Sequence, residues 1–393
     1  MTTGDKEPVR ILAHLITGQK ASRDMTGGIL HFAAVHPEVQ VQLYGIGASR
    51  HTKEEFRTWE PDGVIIGTND PRTVSTLPNI GCKAAVFVNV EPPPDTELRC
   101  GSVFCDNKAI AEAAAKLFID KHLTSLAYVN TREMDTWALE RGRAMRDFAC
   151  LSGCSFSEFD TPRTARRNQR QELTALAEWI STIPKPCGIF AANDARAKDV
   201  LDACKKASIA IPEQAMVLGV DNEDFLCSQI QPTLSSIIPD FAHGGYIAAE
   251  TLVQLVYGKE RTLPPRTFGV QGIIERISTC DPNGAGRMVS KANEFMRLYA
   301  GNRSISVSDV AKAAGASLRL LQMNYKAVTG RTICDTLQSI RLQKVCELLE
   351  QTMTPIGTIG ELCGFNNEMY LKKLFRSKFG CTMRNWRNKQ KPR

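Results

Sequence analysis

Gly188-Ile-Phe-Ala-Ala-Asn193-Asp194-Ala-Arg196 governs the reading of the first 280 residues. An apolar run of strand length ends in an amide and a carboxylate, and a helix-period pattern follows at once over 195–207. The same passage from apolar strand through polar corner to amphipathic helix recurs on both sides. Strands are expected at 9–15, 39–45, 63–67, 84–88, 103–105, 125–129, 188–191, 216–220 and 235–238, and helices at 25–35, 108–121, 138–151, 171–180, 195–207 and 242–257. Most of these strands are continuously apolar, as parallel strands covered on both faces must be. Their number exceeds one small sheet, and the pattern restarts after Asp106, so two similar lobes with a cleft between them are expected. Ligands of such sheets bind beyond the carboxyl ends of the strands.

Charge divides the chain in the same place as pattern. Residues 284–393 carry 19 Lys+Arg against 7 Asp+Glu, whereas residues 1–283 carry 30 against 35, so a net charge of +7 conceals +12 joined to −5. A basic module beside an acidic one suggests a nucleic-acid partner for the former. Two domains are expected, 1–283 and 284–393, with Cys280-Asp-Pro-Asn-Gly-Ala-Gly286 as the linker because it breaks both periodicities. No run of eighteen apolar residues occurs, and the opening residues lack an apolar stretch, so a cytoplasmic protein with no membrane contact is expected. Thirteen cysteines without C-x-x-C pairs read as reduced core thiols.

Polar residues gather at the expected strand ends: Arg23 and Asp24, Asn69 and Asp70, Asn193 and Asp194, Asp221 and Asn222. Singly, each is a turn former or helix cap. Together, carboxylates, amides and an arginine around a cleft suit a polyhydroxylated ligand, since a hydroxyl both donates and accepts, and Trp137 can pack on the C–H face of a sugar ring.

The basic segment repeats one helical grammar. Ser306-x-x-Asp309 caps a helix over 307–314, Gly315 turns, and Ser317 caps a second helix to 329 with Leu321, Tyr325 and Val328 on one face. Some fifty residues later Thr354-Pro355 starts a short helix with Ile356, Ile359 and Leu362 inward. Gly364-Phe365 turns, and a helix from 367 buries Leu371, Phe375 and Phe379 while presenting Glu368, Lys372, Lys373 and Arg376. This is helix-turn-helix spacing, twice over. The helix expected over 332–350 carries apolar residues enough to pack on both units.

These residues carry a resemblance. Asn193-Asp194, Gly219-Val-Asp221-Asn222 with Pro232-x-Leu-Ser-Ser-Ile237, and Trp137-x-x-x-Arg141 resemble the ligand-binding core of LacI/GalR repressors and periplasmic sugar-binding proteins. Gly364-Phe-x-x-x-x-Tyr370-Leu-x-x-x-Phe375-Arg-x-x-x-Gly380 with Trp386-Arg387 resembles the AraC/XylS signature, with Gly360, Met369 and Met383 standing where that family usually has Ala, Ser and Pro. The combination is similar to the xylose-operon transcriptional activators. The resemblance implies an α/β two-lobed periplasmic-binding-protein-like domain followed by an all-α domain with two helix-turn-helix motifs. It implies a sugar site at Arg23, Asp24, Trp137, Arg141, Asn193, Asp194 and Asp221, with Asp106 also matched. Base-facing candidates are Arg319, Gln322 and Met323 in the first unit, and Glu368, Met369, Lys372 and Lys373, with Arg376, in the second.

The expected protein is a sugar-responsive transcription regulator with a monosaccharide effector, D-xylose first. Operator DNA, a homodimer and RNA polymerase are its expected partners, with no cofactor and no metal ion. Another pentose or hexose, a cytoplasmic sugar-binding protein and a sugar-metabolising enzyme are the alternatives. Enzyme motifs do not support the last: Gly45-Ile-Gly47 lacks the third glycine of a dinucleotide fingerprint, and there is no Walker loop, nucleophile elbow or H-E-x-x-H.

Overall fold

The computed structural model describes residues 8–15, 18–43, 59–68, 70–162, 168–280, 284–302, 305–352 and 354–389. The end of the strand expected at 39–45, the Gly45-Ile-Gly47 stretch, Asn69 and residues 281–283 of the expected linker lie outside them. Two compact units make up the chain: 1–207 with 218–227 and 236–274, and 275–393 with 208–217 and 228–235.

Along the chain run β1 (Val9–His14), α1 (Lys20–Val35), β2 (Val39–Leu43), β3 (Gly63–Ile66), α2 (Pro71–Val74), β4 (Ala84–Val88), β5 (Arg99–Cys105), α3 (Asn107–Asp120), β6 (Ser125–Val129) and α4 (Thr136–Leu151). There follow β7 (Ser155–Phe159), α5 (Gln169–Thr182), β8 (Cys187–Ala191), α6 (Asp194–Lys206), β9 (Ala215–Val220), α7 (Asp224–Gln229), β10 (Ser235–Pro239), α8 (Phe241–Tyr257), β11 (Arg266–Phe268) and β12 (Val270–Ile274). The strands form two six-stranded sheets, β11-β5-β4-β3-β1-β2 and β12-β10-β9-β8-β6-β7. Pairing is parallel along the first sheet from β11 to β2, while β12 lies antiparallel to β10 at the edge of the second. The central strands β3, β4, β6 and β8 are buried at every residue, which is why their sequences read as unbroken apolar runs. Two lobes therefore stand where two were expected.

The chain crosses between the lobes after β5, after β10 and between β11 and β12. These crossings are laced to one another: the Asp106 N–H donates to Phe268 O and the Asp240 N–H to Gly269 O, both at 2.9 Å, and Gln271 Nε2 donates to Asp240 Oδ1 at 2.9 Å. Asp106 and Asp240 also cap α3 and α8, so each crossing ends in a fixed corner. In the first lobe α1 and α8 touch backbone to backbone at Gly28 and Gly245. A Cβ on Gly28 would lie 1.9 Å from Ala242 O, and one on Gly245 1.9 Å from Met25 O.

The second unit is helical over α9 (Gly284–Tyr299), α10 (Val307–Ala313), α11 (Leu318–Thr329), α12 (Ile333–Gln351), α13 (Ile356–Leu362), α14 (Glu368–Phe379) and α15 (Met383–Lys389). Ser306 and Asp309 form the expected capping box, and Gly315 and Gly364 turn with φ of +69° and +82°. Its two cores share α12: Ile333 and Leu337 pack with Leu321 and Tyr325, and Leu342, Val345 and Leu349 pack with Leu371 and Phe375. Two expected inward residues point out instead, Val328 at 53% and Leu362 at 52% exposure. Both sit in the last turn of their helices. Helix α9 begins inside the stretch expected to be linker. All thirteen cysteines are free thiols, with Cys150 and Cys334 exposed.

Candidate functional site

Between the lobes of the first unit lies a cleft of about 850 Å³, within the roughly 300–1,000 Å³ range of small-molecule sites. Trp137, Arg141, Asn193, Asp194 and Asp221 all line it. The corner between β8 and α6 is held by a buried ion network. There Arg196 pairs with Glu172 at 2.8 Å and Asp199 at 3.0 Å, donates to Thr161 Oγ1 at 2.9 Å, and reaches Asn130 O at 2.7 Å. On that corner Asn193 caps α6 by accepting from the Arg196 N–H, and Asp194 accepts from Ser236 Oγ at 2.6 Å, the Glu223 N–H at 2.8 Å and Cys227 Sγ at 3.3 Å. Asp194 is thus a buried organiser that ties the ends of three elements together.

Against that corner packs Arg141, 3% exposed, with its guanidinium 4.9 Å from the Trp137 ring centroid. It donates to Ala192 O and, at 3.0 Å, to Asn107 Oδ1; its Nε is buried with no hydrogen-bond partner among the described residues. Asp221 follows β9 with φ of +100°, and Asn222 with +50°, two consecutive non-glycine residues in the left-handed region. Such backbone costs about 1–3 kcal/mol per residue and persists where surrounding structure enforces it. Here the Asp221 N–H is fixed by Ile237 O at 3.0 Å and the Asn222 N–H by Ser236 Oγ at 2.9 Å. Burial, then the neighbouring Asp194, pushes the Asp221 carboxyl up to about 8 against the opposing pull of Arg141 and Lys20. A carboxyl so poised can donate to or accept from a hydroxyl.

In the second unit α11 and α14 each bury one stripe and expose the other. Leu321, Tyr325, Leu371 and Phe375 are at most 1% exposed, while Arg319, Gln322, Met323, Glu368, Met369, Lys372, Lys373 and Arg376 are all exposed. Lys372 pairs with Glu368 at 2.8 Å. Arg387 instead turns inward and donates to Thr354 O at 2.7 Å, next to Trp386, which packs on Phe375 and Phe379 and donates to Glu350.

Residues 115–279 match the model of a periplasmic binding protein-like domain, and residues 310–389 that of a helix-turn-helix domain. The xylose operon regulatory protein of Escherichia coli K12 is 28% identical over 342 residues, 85% of this chain and 86% of its own. An HTH-type transcriptional regulator, GntR of Pseudomonas aeruginosa, is 31% identical over 58% of this chain and 67% of its own. The chain belongs to the helix-turn-helix transcriptional regulators. A solved xylose-binding transcription activator is similar to this regulator over 96% of the chain and 97% of its own, at 25% identity and a TM-score of 0.58.

Two expected cleft residues of the regulator stand elsewhere. Arg23 and Asp24 do not line the cleft; Lys20, Ala21, Ser22 and Met25 do. Helix α1 begins at Lys20, five residues before its expected start, so Arg23 sits on a helix and turns away from the face of Lys20, Ala21, Ser22 and Met25, while Asp24 lies one turn beyond Lys20. Arg23 donates to Gly18 O and to both oxygens of Glu223, and Asp24 pairs with Lys20. The cleft residues that sequence reasoning missed include Lys20, Asn107, Glu140 and Glu223. Only Asn107 carried a signal, through its place beside Asp106.

Proposed function

We propose that this regulator is a sugar-gated transcriptional activator with D-xylose as its effector. The carrying observation is that one chain holds both a lobed cleft lined by Asp194, Asp221, Arg141 and Trp137 and two helix-turn-helix units with exposed cationic stripes. Carboxylates and a guanidinium satisfy two hydroxyls each, and the indole offers an apolar face to the ring. The names of the Escherichia coli relative and of the similar solved structure support xylose over other sugars.

In this reading the sugar closes the lobes, acting only through its greater affinity for the closed state. A homodimer presents four recognition helices to double-stranded operator DNA and contacts RNA polymerase from there. The protein works in the cytoplasm; no helix among the described residues is long and apolar enough to cross a membrane. It turns over no substrate. Calorimetric titration with a panel of pentoses and hexoses tests the effector: xylose binds, and binding of another sugar with no heat from xylose replaces the assignment. Incubating the protein with the sugar and nicotinamide cofactors leaves both unchanged.

A further inference from the structure

Helices α11 and α14 are the same object fifty residues apart. Each starts after a side-chain cap, Ser317 or Asn367, and each ends at a glycine with φ of 69° and ψ of 0°, Gly330 or Gly380. The alternation of buried, half-buried and exposed residues over 321–330 is repeated residue for residue over 371–380. A side chain on one helix therefore has a defined counterpart on the other. Arg319, Gln322, Met323 and Lys326 form the exposed stripe of the first, at helical spacings of three, four and seven. Met369, Lys372, Lys373 and Arg376 form it in the second.

Aligned in this way, Arg319 corresponds to Met369 and Met323 to Lys373. Each stripe holds a single methionine among cations or an amide, third of the four in the first helix and first of the four in the second. The two side chains are among the most exposed apolar groups of the chain, Met323 at 63% and Met369 at 73%, although every other member of both stripes suits phosphates or polar base edges. In the major groove the feature that an apolar side chain can read is the 5-methyl group of thymine.

We propose that Met323 and Met369 each read a thymine methyl, in different registers of their two subsites. The proposal rests on the DNA-binding reading above and adds the base and the frame. Met323 is the sixth residue of α11, whereas Met369 is the second of α14, a difference of four residues. For a helix lying along the groove that is about 6 Å, or roughly two base steps of 3.4 Å, so the thymine shifts by about two base pairs between the equivalent frames of the two subsites. Neighbours of Met369 are held aside: Lys372 is engaged by Glu368, and the Tyr370 hydroxyl accepts from Gln338 Nε2 at 2.5 Å.

The test uses the full-length protein and a duplex selected by it from random sequence. Each thymine in turn is replaced by uracil, which keeps the pairing edge and loses only the methyl. Burying one methyl corresponds to about a fourfold change in affinity, and that loss is expected at one thymine per subsite. Met323→Ala abolishes the sensitivity at the first and spares the second; Met369→Ala does the reverse. Both sites are exposed, so both variants keep the wild-type melting temperature. A tightly bound duplex indifferent to uracil, or sensitivity that survives both variants, overturns the methyl reading alone. Failure to select any preferred duplex overturns the DNA-binding reading and this one with it.

Discussion

The guanidinium of Arg23 meets both carboxylate oxygens of Glu223 at 2.9 Å, bridging the two lobes across 200 residues of sequence. Arg23 rides on α1, while Glu223 follows the strained Asp221-Asn222 corner and donates its own N–H to Asp194. The pair spans the margin of the cleft at side-chain exposures of 45% and 31%. Exposed ion pairs contribute about 0.2–1 kcal/mol, so this one biases the lobes toward closure without locking them. Glu223→Gln therefore speeds sugar dissociation by up to about fivefold in stopped-flow, more at low salt than at high, with little change in melting temperature. An unchanged off-rate would remove Arg23–Glu223 from the gating.

Asp221→Ala weakens sugar binding by at least about fivefold, because a buried hydroxyl left without its partner costs roughly 1–3 kcal/mol. Calorimetry gives the affinity and circular dichroism the fold. Binding at wild-type strength removes Asp221 from the site.

The same carboxyl makes stability depend on pH. Folded protein holds this proton up to about pH 8, whereas the unfolded chain releases it near 4. Between those values the folded state binds the extra proton, so this group's contribution falls as pH rises from 4 to 8. Asp221→Asn removes the slope. Without ligand, the variant melts above wild type at pH 8 and the gap narrows towards pH 5; a gap independent of pH contradicts the assignment.

Adjacent glycines of α1 should respond oppositely to a single methyl. A Cβ at Gly27 meets nothing within 4 Å, while one at Gly28 runs into the backbone of α8. Gly27→Ala gains about 0.5–1 kcal/mol from helix propensity. Gly28→Ala loses on the order of 1–3 kcal/mol or more through overpacking. Urea denaturation of both variants decides the matter.

Lys373 and Arg387 separate recognition from support. Lys373→Ala changes base preference within one subsite, whereas Arg387→Ala, which frees Thr354 O, weakens binding to all sequences alike and lowers the melting temperature. Binding of wild type should fall steeply from about 50 to 200 mM salt. Single-base variants of a selected duplex, read at fixed salt, distinguish the two.

What was legible in the sequence follows from what leaves a mark on it. Strands β4 and β6, buried at every residue, stand where the apolar runs put them. Missed were β7, an edge strand reading Ser-Phe-Ser-Glu-Phe with half its surface wet, the three-residue β11, and β12, which holds Gly272 at φ +156°. The early start of α1 was invisible because its cap, Gln19, makes no side-chain capping bond and Lys20-Ala-Ser-Arg-Asp has no apolar period. That one boundary moved Arg23 and Asp24 out of the cleft. Asp194 and Asp221, which line the cleft, were legible because strand ends mark themselves, and Arg141 only through its spacing from Trp137 in the resemblance, whereas Glu223 acquires its part from a residue 200 positions away.

The laced crossings at Asp106, Asp240 and Gly269 have a mechanical consequence. Three separate covalent straps could each buckle independently and let the lobes roll, slide or yaw. Tied edge to edge and ended by capped helices, they bend together about one shared axis and resist torsion, so the apparatus resembles a door on a single pin. Whatever molecule fills the gap, its work is delivered along one degree of freedom. Substitutions around the cleft then change how far the door swings and how long it stays shut, while the direction of travel belongs to the straps.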